Sequence, residues 1–334
     1  MARLNRPVHK DNSVDSALYV SGGSSSFLTS ISSSIRKYKY ENGRRYHAFR
    51  DGEYVMPNDE EEQDRMDLLH HVFLLILGGE LFVSPIERNG LQRVLDLGTG
   101  TGIWAIDFAE CVPLPVLFAS RFLPIKLTRE KSIPISGSRG TPPNCVFEID
   151  DYEAEWSYNR PFDFIHGREL LGCINDYDRF FRQAFTNLRS GGYFEMQSFK
   201  AELYSDDGSL DKAEMTRKWV DLLQDSSNKF GKSMLDMDNW KDRMVKVGFT
   251  QVNCRIDKIP LGPWAKDRKK KEIGAYMQAE QLQAIPSYTY RLFSHILGWS
   301  KTEIEVLIAG LRSELLDQSI HQYGNMYFVY GRKP

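Results

Sequence analysis

Cysteine is scarce, and its spacing excludes more than its number. The four cysteines, Cys111, Cys145, Cys173 and Cys254, form no C-x-x-C pair. That leaves no disulfide frame and no thiolate zinc motif, and it suits reduced thiols inside a cell. Long apolar runs are missing too. Residues 68–77 are apolar but too short for a membrane span, and they hold His70 and His71, so a buried helix is expected there. No signal-peptide apolar core stands at the N-terminus. Neither charge sign dominates, the net being -2, so no global pull toward nucleic acid or an anionic membrane is expected. No Ser-His-Asp order and no internal repeat stands out. Adjacent His70 and His71 point to different helix faces, so no metal site is expected.

What is present is one concentrated motif. Arg93-Val94-Leu95-Asp96-Leu97 reads as a strand, Gly98, Gly100 and Gly102 alternate after it, and Ile103-Trp104-Ala105-Ile106 opens a helix. Strand, glycine turn, helix is where α/β proteins hold an adenosine-containing cofactor. The spacing is G-x-G-x-G, with Asp96 two residues ahead, and not the G-x-G-x-x-G of dinucleotide folds. That shifts the expectation from NAD to S-adenosylmethionine (SAM). Glycines let a ligand approach the backbone. The helix N-terminus offers N–H groups to a carboxylate, and Asp96 can accept from an ammonium.

Along the chain, residues 1–37 are serine-rich and expected to be disordered. An aromatic and basic cluster follows, from Tyr38 to His47. Asn58 is expected to cap a helix with Glu61 in the capping-box position, ending at Gly78-Gly79. Cys145 begins a strand ending at Asp150 and Asp151, and Phe162 begins another ending at His166. Tyr177, Phe180, Phe181, Ala184, Phe185 and Leu188 give the clearest helical period, capped by Asn175 or Asp176 and ended by Ser190-Gly191-Gly192. Residues 193–196 and 252–259 read as strands. Residues 208–246, 264–282 and 301–316 read as helical, and 325–330 as a final strand. The alternation of strand and helix predicts a parallel sheet covered on both faces.

These motifs resemble those of the LaeA-type fungal methyltransferases, class I SAM-dependent enzymes. The residues that carry the likeness are Glu41-Asn42-Gly43-Arg44-Arg45-Tyr46-His47, the acidic run before Arg65, the glycine loop, Leu188-Arg189-Ser190-Gly191-Gly192-Tyr193-Phe194-Glu195 and Pro260-Leu261-Gly262-Pro263-Trp264. The resemblance implies an α/β fold, a Rossmann-like seven-stranded sheet with the last strand antiparallel and helices added over the substrate face. It divides the chain into the arm over 1–37, a helical extension over 38–90, a SAM-binding core over 91–200, and a helical substrate cap with the final strands over 201–334. It implies SAM as cofactor, held by Asp96, Gly98, Gly100 and Gly102, with Asp150 or Asp151 accepting from the adenine.

One departure stands out. The strand-end acidic residue expected to hold the ribose aligns with Arg121, and residues 112–128 contain no Asp or Glu. Three readings follow: a rearranged site filled by a group such as Glu130, a binding role without methyl transfer, or a gene-model error over 112–142. His166 is a candidate general base or a structural histidine. Arg168 and Glu169 are weaker candidates for substrate contacts. The function expected is methylation of a small molecule or peptide in fungal secondary metabolism, including toxin biosynthesis, in the cytoplasm. The alternative is a nuclear regulator acting through velvet-type protein partners bound by the N-terminal region. Lys266-Asp267-Arg268-Lys269-Lys270-Lys271 is then either an import signal or a solvated helix face.

Overall fold

A computed structural model describes residues 38–47, 52, 54–112, 116–121 and 141–334. The serine-rich arm and Glu130 lie outside the described residues.

Seven strands form the central sheet: β3 (Arg93–Leu97), β4 (Val116–Arg121), β5 (Cys145–Ile149), β6 (Phe162–Arg168), β7 (Leu188–Tyr204), β8 (Thr250–Pro260) and β9 (Tyr323–Arg332). Their order is β5-β4-β3-β6-β7-β9-β8. Pairing is parallel from β5 through β7, and β9 runs antiparallel between β7 and β8. The last strand is therefore antiparallel, as the resemblance implied. Strand order reverses about β3, with β4 on one side and β6 on the other. The crevice at the carboxyl end of such a strand is where open α/β sheets bind ligands. Alternate side chains of each strand enter different layers. Val94 and Phe164 pack with Trp104 and Phe108. Leu95 and Ile165 pack with Phe180 and Phe181.

The N-terminal extension is not wholly helical. Strands β1 (Tyr38–Glu41) and β2 (Arg44–His47) pair as a hairpin. Its turn is Asn42-Gly43, with φ 54° and 85°, the positive angles that a tight hairpin turn needs. Helix α1 (Glu60–Leu77) is capped one residue later than expected: Asp59 accepts from the Glu62 N–H. The Asn58 side chain is engaged elsewhere, on His47 Nε2 at 2.7 Å. Arg44 clamps the Asp59 carboxylate and donates to Ser287, which ties the hairpin to the helices.

Helix α2 (Ile103–Cys111) follows the glycine loop, and α3 (Tyr177–Asn187) is capped by Asp176. Ser190-Gly191-Gly192 does not end α3; it lies within β7. A Cβ on Gly192 would stand 2.9 Å from the Asp163 carbonyl, so the glycine admits close strand contact. The helical stretch expected over 208–246 divides into a short 3₁₀ turn (Ser209–Lys212), α4 (Glu214–Phe230) and α5 (Met237–Val247), because Gly231 and Gly248 close the two helices in left-handed caps. Helix α6 (Arg268–Ile296) starts later than expected, at the Asp267 cap, and runs much further, passing through Pro286. Helix α7 (Lys301–Leu316) has the expected bounds and a full capping box from Ser300 and Glu303. Helices α4, α6 and α7 pack on one another, and α6 packs on α1.

Candidate active site

A cleft of about 1120 Å³, counting its mouth, opens at the carboxyl end of β3. Asp96, Gly98, Thr99, Gly100, Thr101, Trp104 and residues of α1 line it, with Tyr152, Arg168 and Glu169, while Gly102 caps α2 and is not in the lining. The loop is shaped for a ligand that approaches main chain. Gly98 has φ 64°, and a Cβ there would overlap the Leu170 side chain. A Cβ on Gly100 would stand 3.0 Å from Met66 Sδ. Thr101 Oγ1 donates to Asp67 at 2.6 Å, which pins the turn to α1. The Thr99 hydroxyl is buried on this cleft with no hydrogen-bond partner among the described residues. A buried polar atom without a partner marks a place where a bound molecule completes the bonding.

Asp96 is buried, and its Oδ1 lies 2.8 Å from His166 Nδ1. The His166 ring stacks on Trp104, with centroids 3.7 Å apart and planes 6° from parallel. Burial pushes the imidazole below its ordinary pKa, against the opposing pull of Asp96. His166 is fully buried and is not part of the cleft wall. Its Nδ1 faces Asp96, while its Nε2 is buried with no hydrogen-bond partner among the described residues. Trp104 donates its indole N–H to the Leu81 carbonyl at 2.9 Å, fixing the ring on which the histidine rests.

Asp150 and Asp151 are placed differently from the expectation. Asp150 accepts from the Asp151 N–H at 2.8 Å, and Asp151 accepts from the Glu153 N–H at 2.9 Å. Neither aspartate lines the cleft, and Tyr152, the residue after them, is the side chain that reaches it. Burial raises the Asp150 carboxyl above its usual range. Strand β4 ends at Arg121, one step beyond Ser120, which lies in register with Leu97. The Arg121 side chain lies outside the described residues. Of the aromatic and basic cluster, His47 reaches the cleft, and burial with the nearby Arg45 charge lowers its pKa to about 4.

Arg168 and Glu169, the weaker candidates for substrate contacts, both line the cleft. Arg168 is held by Gln197 at 2.9 Å, by the Leu81 carbonyl at 3.0 Å and by His70 Nδ1 at 3.1 Å. Its guanidinium also lies over the Phe73 ring. His70 Nε2 meets Asp107 at 3.0 Å, so the neutral ring donates to Asp107 and accepts from Arg168. Glu169, the next residue, takes φ 52°, an uncommon angle for a side-chain-bearing residue. Its N–H donates to the Gln197 carbonyl and its Oε1 accepts from the Phe199 N–H at 2.8 Å. Burial lifts its carboxyl to about 8, the Phe199 N–H opposing the rise.

Sequence reasoning passed over Arg65. Its guanidinium meets Glu62 at 2.6 Å and Glu280 at 2.5 Å, all three side chains buried. Burial works against that charge, and the two carboxylates outweigh it. Glu62 and Arg65 stand three apart on α1, a spacing that was legible. Glu280 is 215 residues away, and nothing local announced it.

Residues 58–253 match the family described as a methyltransferase domain. Methyltransferase pytC of Aspergillus terreus is 36% identical over 309 residues, 92% of each chain. The protein-methionine methyltransferase laeA of Emericella nidulans is 32% identical over 312 residues, 92% of this chain and 79% of that one. A solved phosphoethanolamine N-methyltransferase 2 of Haemonchus contortus, in complex with SAM, is 15% identical with a TM-score of 0.46, covering 92% of this chain and 73% of that one. On the domain match and the two sequence relatives, this chain belongs to the methyltransferase-domain family, as a LaeA-type member.

Proposed function

We propose that this protein is a SAM-dependent methyltransferase that modifies a small molecule or peptide in secondary metabolism. The observation that carries the reading is the cradle at the end of β3: a glycine loop that tolerates no side chain at Gly98, a fixed carboxylate at Asp96, and an unpartnered Thr99 hydroxyl on one cleft. Asp96 would hold the cofactor's ammonium, and the loop with the start of α2 its carboxylate. That cofactor, when bound, supplies an electrophilic methyl group on a sulfonium. The chain's own part is to bind, to orient and to exclude water, which is most of what such a transfer asks of a protein. Titration calorimetry with SAM and with its demethylated product tests the reading. No heat and no thermal shift with either ligand would sink it.

The second reading is regulation through a protein partner. Its support is the likeness to the secondary metabolism regulator laeA of Emericella nidulans, 32% identical, and the exposure of Lys266, Arg268, Lys269, Lys270 and Lys271 at the start of α6. Asp267 within that run caps α6, which gives it a structural role as well. We place the protein in the cytoplasm, with the nucleus as the alternative. Imaging of the tagged protein, with recovery of what binds it, separates the two readings.

A further inference from the structure

Beside the cleft lies a second cavity, about 530 Å³ counting its mouth. Its walls are mostly apolar: Phe199 from β7, Trp219 and Leu223 from α4, Met277 from α6. The Trp219 indole N–H is tied to Thr289 at 2.8 Å, so the ring forms a fixed wall. Arg65, Leu69, Glu169, Leu171 and Tyr288 line both spaces, so the two meet there.

Apart from the Tyr288 hydroxyl and Glu169, the polar groups of the cavity are spoken for. Arg65 is bonded to Glu62 and Glu280, and Glu280 also accepts from Gln281 at 3.0 Å. Glu169 differs. Its Oε1 is held by the Phe199 N–H, while its Oε2 has no hydrogen-bond partner among the described residues. The strained backbone at this residue, φ 52°, is kept by that anchor on β7. An oxygen left without a bond in an apolar wall favours a ligand that brings a hydroxyl to it, because an apolar group there would leave it unpaired.

We propose that this cavity is the acceptor pocket and that it takes an apolar molecule bearing a hydroxyl, which hydrogen-bonds with Glu169 Oε2. The inference rests on the methyltransferase reading and names the class of its substrate. A purely aliphatic chain fits the walls and leaves the carboxyl unpaired, and a thioether sulfur is only a weak acceptor for its O–H. A peptide methionine side chain is therefore disfavoured.

The test uses the full chain with 2-naphthol as probe, 2-methylnaphthalene as the matched molecule without a hydroxyl, and N-acetylmethionine amide as the thioether. Binding is followed by saturation-transfer NMR and by tryptophan fluorescence. The expected result is that 2-naphthol binds more tightly than either comparison probe, and that Leu223→Trp, which fills the cavity, abolishes its binding. Glu169→Gln, which keeps an oxygen for the Phe199 N–H, is expected to weaken 2-naphthol by about fivefold, the loss of one hydrogen bond, and to leave 2-methylnaphthalene unchanged. Equal binding of 2-naphthol to wild type and Leu223→Trp overturns the proposal. So does tighter binding of N-acetylmethionine amide than of 2-naphthol, or a Glu169→Gln effect of equal size on both naphthalenes. Circular dichroism of each variant excludes misfolding. A thermal shift with demethylated SAM, measured in Leu223→Trp, reports the cofactor cleft separately. Its absence in wild type would strike the methyltransferase reading, while the naphthol series still judges the cavity.

Discussion

Asp96 and His166 face each other across two central parallel strands, in register, with Oδ1 and Nδ1 2.8 Å apart. The pair is sealed beneath Trp104, whose ring stacks on the imidazole. The histidine thus aims the carboxylate that the cofactor's ammonium would meet.

His166→Phe keeps an aromatic ring against Trp104 and takes away the donor to Asp96. The expected outcome is a stability loss of about 1–3 kcal/mol, the cost of an unpaired buried oxygen, together with weaker SAM binding. Chemical denaturation and calorimetry check both. A general base would behave otherwise: its removal would cut turnover and leave stability and SAM affinity alone.

Gly98→Ala meets two obstacles at once. The backbone angle is φ 64°, and the new methyl would overlap Leu170. The left-handed angle alone costs roughly 1–2 kcal/mol for a residue with a Cβ. That cost falls on stability, about tenfold in the folded-to-unfolded ratio since 1.4 kcal/mol is a factor of ten, and SAM binding is expected to weaken where the loop shifts to clear Leu170. Adding Leu170→Ala relieves the overlap and not the angle, so the double variant should recover stability only in part. Full recovery of stability would show that the angle does not matter.

Local rules carried much of this fold, and they failed where distance entered. The Leu-rich strand before Gly98 and the capped helix at Ser300 follow from neighbours in sequence, and the bounds of α7 came out as read. Asn58 and Asp59 are both good caps. The choice of Asp59 depends on Arg44 and His47 from the hairpin, which occupy one residue each. The Asn42-Gly43 turn was a legible hairpin signal that the aromatic content around it obscured. Asp96, expected from its place before the glycines to meet a cofactor, lies on the cleft, whereas its pairing with His166 needed the register of β3 against β6. The Arg65–Glu280 pair needed the docking of α6 on α1, which no local pattern encodes.

Glu169 makes stability fall as pH rises. Its folded carboxyl titrates near 8, above the ordinary carboxylate range, so the native state holds a proton that the unfolded chain has already released. The contribution is fully present at acidic pH and is lost as pH climbs toward 8, on the order of 3 kcal/mol by neutrality. Glu169→Gln has no such proton. Its melting temperature is expected to change less than that of wild type between pH 5.5 and pH 8.5, and parallel curves would refute the assignment.

His47 acts in the opposite direction. Its folded pKa is near 4, below the ordinary imidazole value, so on acidification the unfolded chain gains a proton before the native one does. Stability is then lost as pH falls from about 6.5 toward 4, by up to about 3 kcal/mol. His47→Gln keeps an acceptor for the Asn58 amide and should flatten the acid limb of a pH–stability profile. Between about pH 4.5 and 6.5 the Glu169 and His47 contributions offset each other, so these two groups predict a plateau there and a decline above it as Glu169 alone acts.

Arg65→Met tests the buried cluster that divides the cleft from the apolar cavity. The variant leaves Glu280 buried without a guanidinium and Glu62 with only that of Arg44, 3.9 Å away. Removing one partner of such a group costs roughly 3–5 kcal/mol. The Ser287 hydroxyl stays on Glu62 at 2.6 Å and cannot neutralise it. Protonation of Glu280, whose pKa burial already raises, softens the cost in acid, so Arg65→Met should be less damaged at low pH than at high pH. Adding Glu62→Gln and Glu280→Gln removes both charges, and most of the lost stability should return, because neutral groups of the same shape need no counterion. Urea denaturation of the single and triple variants decides the matter. If the single variant is as stable as wild type, the cluster does not hold α1 to α6, and the wall shared by the two spaces has another support.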